Sequence, residues 1–268
     1  MNDRVTVDIQ DGVADVRLVR IDKMNALDDA MFSAVIEAGE RLKAEASVRA
    51  VVLSGEGKSF CAGLDMGSFQ AIASGGGEGG TSRLLTPERT PGGANRAQQL
   101  CMVWREVPVP VIAAVHGAAF GGGFQLALGC DLRFVAADAR MSLMEIKWGL
   151  VPDMGAIVLL RGLVGDDVAR ELSWTGRVFT GEEALAMGLA TRVCADPREQ
   201  ALGLAREIAA KNPHAIRAGK RLFNLAADAD QHAILLAESQ EQGALIGSAN
   251  QIEAVMANLQ KREPRFAD

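Results

Sequence analysis

Two short glycine-rich stretches, one beginning at Ser59 and the other at His116, constrain this chain more than anything else in it. The first reads Ser59-Phe60-Cys61-Ala62-Gly63-Leu64-Asp65-Met66, and the second His116-Gly117-Ala118-Ala119-Phe120-Gly121-Gly122-Gly123-Phe124-Gln125. Each follows an apolar, strand-like run, Ala50 to Leu53 and Val109 to Val115. Strand-to-turn steps built from small residues let backbone N–H groups approach a ligand that a Cβ would hold away. Two such turns converging on one oxygen form an oxyanion hole. The plainer explanation of Gly121 to Gly123 is tight helix–strand packing, and the first stretch is what favours function over packing.

The remaining pattern is that of an α/β chain. Val5 to Ile9 and Val13 to Leu18 alternate at period two around Asp11-Gly12, a hairpin signature. From Asp28 to Ala44 the apolar residues Met31, Val35, Ile36 and Leu42 recur near helical period, with Asp28 placed to cap the helix. Val51-Val52-Leu53 and Val111 to Val115 read as buried strands, so β-α units with right-handed crossovers are expected. Residues 71–93 break this order. Ser74 to Gly80 and Thr90 to Gly93 carry too little apolar surface to hold one conformation, and are either a flap beside the first turn or a disordered loop. From Pro197 onward the chain reads as helical over 197–211, 214–228, 231–246 and 249–261, with Asp196 as N-cap and Pro197 in the first helical position.

The net charge of −6 over 268 residues disfavours a nucleic-acid surface. It leaves room for a polyanionic ligand met by a few local cations, and Arg20, Lys23 and Lys58 lie near the two turns. Cys61, Cys101, Cys130 and Cys194 show no paired spacing and read as buried, reduced thiols. His116, His214 and His232 form no metal-ligand pattern, so no metal is expected. The N-terminus lacks an apolar signal core and no run reaches membrane-spanning length, so the expectation is a soluble, cytoplasmic protein with no membrane partner.

From about Val5 to its end the chain resembles the enoyl-CoA hydratase/isomerase, or crotonase, family. The anchors are Lys23-Met24-Asn25-Ala26-Leu27, Phe60 to Asp65 and Gly121-Gly122-Gly123. Glu145 with Gly149-Leu150-Val151-Pro152, and Thr180 to Ala184 near Gly188-Leu189-Ala190, extend the match. The resemblance implies a spiral of ββα turns over residues 1–195. A C-terminal helical section, 196–268, would pack around the acyl pocket and support a homotrimer or a dimer of trimers. The substrate it implies is an acyl-CoA thioester, with coenzyme A as part of the substrate and no separate cofactor.

The family's oxyanion donors fall on the N–H groups of Leu64 and Gly122. Lys23 and Met24 match positions lining the CoA channel, with Ala62, Asp65 and Met66 on its other wall. Ala26, Gly63, Gly121 and Met144 belong to the same binding set. Family hydratases use two carboxylates. The later one matches Glu145, which lies among Met141, Leu143, Met144 and Ile146, a setting that desolvates an acid and raises its pKa. The earlier one is Gln125 here, and an amide can orient a water or a thioester but cannot exchange a proton near neutral pH. Asp153 lies eight residues after Glu145. The dienoyl-CoA isomerase branch places a second acid at that spacing, although that branch usually also has an acid where Gln125 stands. The competing role for Asp153 is to cap a helix starting near Met154.

The expected chemistry is therefore double-bond isomerisation through a thioester enolate, with Glu145 and Asp153 as acids. Hydration is the alternative within the same class. A non-catalytic CoA-thioester binder is the rival from outside it.

Overall fold

The computed structural model describes residues 3–67 and 85–268, so the core of the Gly-rich 71–93 segment lies outside the described residues. Among the described residues nine strands run in chain order: β1 (Val5–Gln10), β2 (Val13–Leu18), β3 (Ala50–Gly55), β4 (Val111–Val115), β5 (Ala118–Phe120), β6 (Leu132–Val135), β7 (Arg140–Ser142), β8 (Phe179–Thr180) and β9 (Arg192–Val193). The helices are α1 (Asp29–Ala44), α2 (Arg96–Glu106), α3 (Gly122–Leu128), α4 (Ala156–Leu160), α5 (Asp166–Thr175), α6 (Gly181–Met187), α7 (Pro197–Ala209), α8 (Pro213–Ala226), α9 (Gln231–Leu245) and α10 (Ala249–Gln260).

β1 and β2 form the expected hairpin, and Asp11 and Gly12 both take positive φ, the two-residue turn whose twist matches its strands. Beyond that pair the large sheet is parallel, in the order β1-β2-β3-β4-β6-β9. Its central strands are buried on both faces. Val51, Leu53, Val111, Ala113 and Val115 look into one core, together with Met31, Val35 and Leu42 of α1 and Trp104 of α2. Val13, Ala50, Val52, Ile112, Ala114 and Phe134 look into the other, against Ala201, Leu202, Ala205 and Ala209 of α7. The alanines of α7 recur four residues apart, which lets that helix sit close to the sheet.

The first C-terminal helix completes a layer of the α/β core, and only α8 to α10 stand outside it. Lys220 pins α8 in place: its buried Nζ donates to the carbonyls of Trp104 and Val109 at 3.0 and 2.9 Å and to Asp131 Oδ2 at 2.7 Å. The local signals for the helix starts hold. Asp28 Oδ1 accepts from Met31 N–H at 2.8 Å and Asp196 Oδ1 from Glu199 N–H at 3.0 Å. Thr90 to Gly93, expected to lack one conformation, instead lie in a turn closed on Ala94, in which Thr90 N–H meets the Ala94 carbonyl at 2.9 Å and Thr90 Oγ1 accepts from Ala94 N–H.

A second, small sheet in the order β5-β7-β8 positions the chemistry. β5 delivers the triple glycine, and β7 leads into the turn that starts at Glu145. Among the described residues no helix is long and apolar enough to cross a membrane.

Candidate active site

The two glycine turns meet as a miniature parallel ladder. Cys61 N–H donates to the Ala118 carbonyl at 3.0 Å, and Phe120 N–H to the Cys61 carbonyl at 3.1 Å. At Gly63 φ is +89°, and an added Cβ would lie 2.5 Å from the Phe120 carbonyl oxygen and 3.9 Å from Gly122 N. Only glycine permits this approach. The N–H groups of Leu64 and Gly122, the next amides after these contacts, donate to no described residue. They are the two donors that the family resemblance assigns to an oxyanion hole. An added Cβ at Gly122 would lie 2.7 Å from Met154 Sδ and 2.9 Å from Leu27 Cδ1, so both side chains would have to shift to admit one.

A third strand of backbone joins them. Ala62 N–H donates to the Met24 carbonyl, Leu27 N–H to the Gly63 carbonyl and Asp65 N–H to the Leu27 carbonyl, at 2.9, 2.8 and 3.0 Å. The expected CoA walls, 23–26 and 62–66, are thus one continuous surface. Lys23, Met24 and Met66 are exposed on it, while Ala26 is buried. Asp65 belongs to the scaffold: its carboxylate takes Arg20 Nη1 at 2.8 Å and Gly67 N–H at 2.8 Å, and these contacts lower its pKa.

Asn25, which sequence reasoning quoted only as part of a motif, holds the two walls together. It is fully buried at φ +56°, a region Asn tolerates better than most residues. Its Nδ2 lies 3.0, 2.9 and 3.2 Å from the carbonyls of Glu56, Ser59 and Phe60. A polar residue inside an apolar motif, next to a turn, was the available signal.

Glu145 opens the 3-10 turn Glu145–Trp148, directly after half-buried Met144. Gly121, at φ +50° and ψ −120°, brings its Cα so near Glu145 that an added Cβ would lie 3.2 Å from Oε1. The carboxylate therefore sits beside the Gly122 amide. Glu145 Oε1 accepts from Gln125 Nε2 at 2.7 Å, whereas Oε2 is buried and has no partner among the described residues. Burial raises the pKa of Glu145 and the nearby Asp153 charge adds to this, against the opposing pull of hydrogen bonds from its own N–H and Gln125.

Asp153 is not a cap. The helix starts later, at Ala156, with Gly155 as its N-cap residue and no side-chain capping bond. The Asp153 carboxyl reaches the surface of the chain, yet the protein around it still raises its pKa through desolvation. Gln125 also departs from expectation. It is completely buried, with Oε1 accepting from Met154 and Ala156 N–H at 2.9 and 3.2 Å, so it orients neither water nor thioester directly. No metal-binding cluster of His, Cys, Asp or Glu occurs among the described residues.

Two converging glycine turns, a desolvated carboxylate beside them and a mostly parallel sheet are the features of the crotonase fold. The family model for enoyl-CoA hydratase/isomerase matches residues 8–268, and the chain belongs to that family. Among its relatives are a Bacillus subtilis protein named "Probable enoyl-CoA hydratase", 33% identical over 90% of both chains. Another is the peroxisomal Δ(3,5)-Δ(2,4)-dienoyl-CoA isomerase of Arabidopsis thaliana, 32% identical over 91% of this chain and 88% of that one. The solved enoyl-CoA hydratase from Bacillus anthracis superimposes with a TM-score of 0.84 at 28% identity, covering 98% of each chain.

Proposed function

We propose that the protein isomerises the double bond of an enoyl- or dienoyl-CoA thioester. The observation that carries this is the desolvated Glu145 carboxyl, whose Oε1 lies against Gly121 and whose Oε2 has no partner among the described residues, with an amide rather than a carboxylate at position 125. Glu145 takes a proton from the α or γ carbon, and the C–H electron pair moves into the conjugated thioester. The resulting enolate oxygen is held by the Leu64 and Gly122 N–H groups, whose preorganised dipoles need no reorganisation as charge develops. Return of a proton to the other end of the allylic system, from Glu145 or Asp153, leaves the double bond shifted and consumes no water.

Hydration is the second reading, because the charge of Asp153 acts on Glu145 and two acids can share one water. The two named relatives lie at nearly equal identity and favour neither. Incubation with 2-enoyl-, 3-enoyl- and dienoyl-CoA substrates, followed by absorbance and mass, separates them: isomerisation conserves mass and hydration adds one water. Exchange of the acyl α-proton with solvent deuterium excludes a mere binder; its absence with every ester sinks the catalytic reading.

Asp153→Asn is expected to lower turnover about tenfold or more while leaving the thermal midpoint within a degree or two, since no capping bond is lost. Full activity in this variant would remove Asp153 from the mechanism. For assembly, the proposal is a trimer or a dimer of trimers, supported by exposed Phe223, Ile246 and Leu259 on and beside α8 to α10. Light scattering should give a mass of three or six chains, and a monodisperse monomer at micromolar concentration defeats it.

A further inference from the structure

We infer that Gln125 dictates which oxygen of Glu145 exchanges the proton, and that the same side chain holds the Asp153 loop in step with it. The inference rests on the reading of Glu145 as the proton-transfer group.

The argument begins with the orientation of the amide. Two backbone donors, Met154 N–H and Ala156 N–H, converge on one atom of the Gln125 side chain at 2.9 and 3.2 Å. That atom must be the carbonyl oxygen, because a flipped amide would oppose donor to donor in a place no water reaches. Nε2 is then forced towards Glu145 Oε1, 2.7 Å away. An amide N–H has nothing to accept with, so Oε1 is an acceptor in both charge states of the acid. The bond draws negative charge onto Oε1, so Oε2, without a partner among the described residues, is the more basic oxygen and the one that takes a proton from carbon and returns it. The two oxygens of one carboxylate are made inequivalent by a single amide.

The second half concerns the loop. Met154 directly follows Asp153, and Ala156 begins α4. One oxygen of Gln125 therefore anchors the backbone on which Asp153 stands, while the nitrogen of the same amide anchors Glu145. Movement of either acid relative to the other breaks a buried hydrogen bond. A carboxylate at position 125 keeps the two backbone bonds but turns the bond to Glu145 into a pair of acids competing for one proton. Gln125 is thus a positioning residue, acting on substrate only through the two acids. The titratable groups that act electrostatically with Glu145 are Asp153 and the Cys101 thiol, the latter kept neutral by burial. Both stay unchanged in the variants below.

The test is direct titration of Glu145 by NMR of ¹³C-labelled glutamate carboxyls, the resonance assigned by its loss in Glu145→Gln, in the wild type, Gln125→Glu and Gln125→Met. In Gln125→Glu the pair should titrate in two separated steps, the upper one above the wild-type value by about one pH unit or more. The acid limb of kcat/KM should move up by the same amount, and kcat should fall with KM little changed. Gln125→Met should also raise the Glu145 titration, by removing the bond that favours the carboxylate. Because Met leaves two backbone donors without an acceptor, Gln125→Glu decides the matter if Gln125→Met does not fold. A wild-type-like single titration of Glu145 in Gln125→Glu overturns the inference even in a fully active enzyme. Conversely, the titration needs no substrate, so failure to turn over any enoyl-CoA sinks the proposed reaction without touching this result.

Discussion

Glu145→Gln is expected to lower kcat about a thousandfold while leaving CoA-ester affinity near that of the wild type, because the amide keeps the shape and loses the proton transfer. The scaffold should survive the change. A glutamine oxygen at the Oε1 position still accepts from Gln125 Nε2, and the amide nitrogen takes the unpartnered Oε2 position, a smaller cost than a desolvated charge. Stability should respond in the opposite direction to activity. Burial raises the pKa of Glu145 in the fold above its unfolded value, so its favourable contribution is complete below the ordinary carboxylate range and is lost as pH rises through the folded pKa. At pH 7 the wild type therefore carries the cost of a desolvated charge that the variant lacks. Thermal midpoints should be higher for Glu145→Gln at neutral pH and converge as the pH falls to about 4. A variant with near-normal kcat, or one destabilised at pH 7, contradicts the assignment of Glu145 as the buried base.

Gly63→Ala is expected to be nearly as damaging, for a reason of space. The new methyl would lie 2.5 Å from the Phe120 carbonyl oxygen at a φ of +89°, so the two turns must separate and the backbone must adopt a strained conformation. Losing the alignment of even one oxyanion donor costs about 100-fold or more in kcat. The same change should lower stability by roughly 1–3 kcal/mol through overpacking and backbone strain. The informative comparison is kcat against unfolding in urea within one preparation. If the variant is destabilised yet turns over substrate at the wild-type rate, the two turns do not build the oxyanion site together.

The parts of this molecule legible in its sequence are those settled by near neighbours. Asp28 and Asp196 were readable as caps because a cap bonds three residues away, and the hairpin because Asp11-Gly12 fixes its own turn. The two glycine turns were readable because small residues cluster there for a steric reason that needs no partner. Asp153 shows where local logic fails. It looks like a helix cap, but Gly155, in a left-handed conformation, starts the helix two residues later and frees the carboxyl from that duty. Gln125 fails for distance: its partners lie 20, 29 and 31 residues onward, and only the folded chain brings them to one amide. Likewise α7 gave a clear helical signal without revealing which surface its alanines cover, so its place in the second core was invisible.

The four thiols have a chemical consequence of their own. Burial pushes the Cys61 and Cys130 thiols up to about 12 and that of Cys101 well above its ordinary value, while Cys194 stands partly open at the surface. Thiolate is the species that alkylating reagents and oxidants attack, so three of the four are silent for as long as the chain stays closed. Cys61 lies within the first glycine turn, and Cys101, on α2, belongs to the same buried core. Modification of these sulfurs therefore keeps time with the opening of the catalytic core, and Cys194 supplies the uncoupled reference, giving the enzyme a built-in stopwatch for its own breathing.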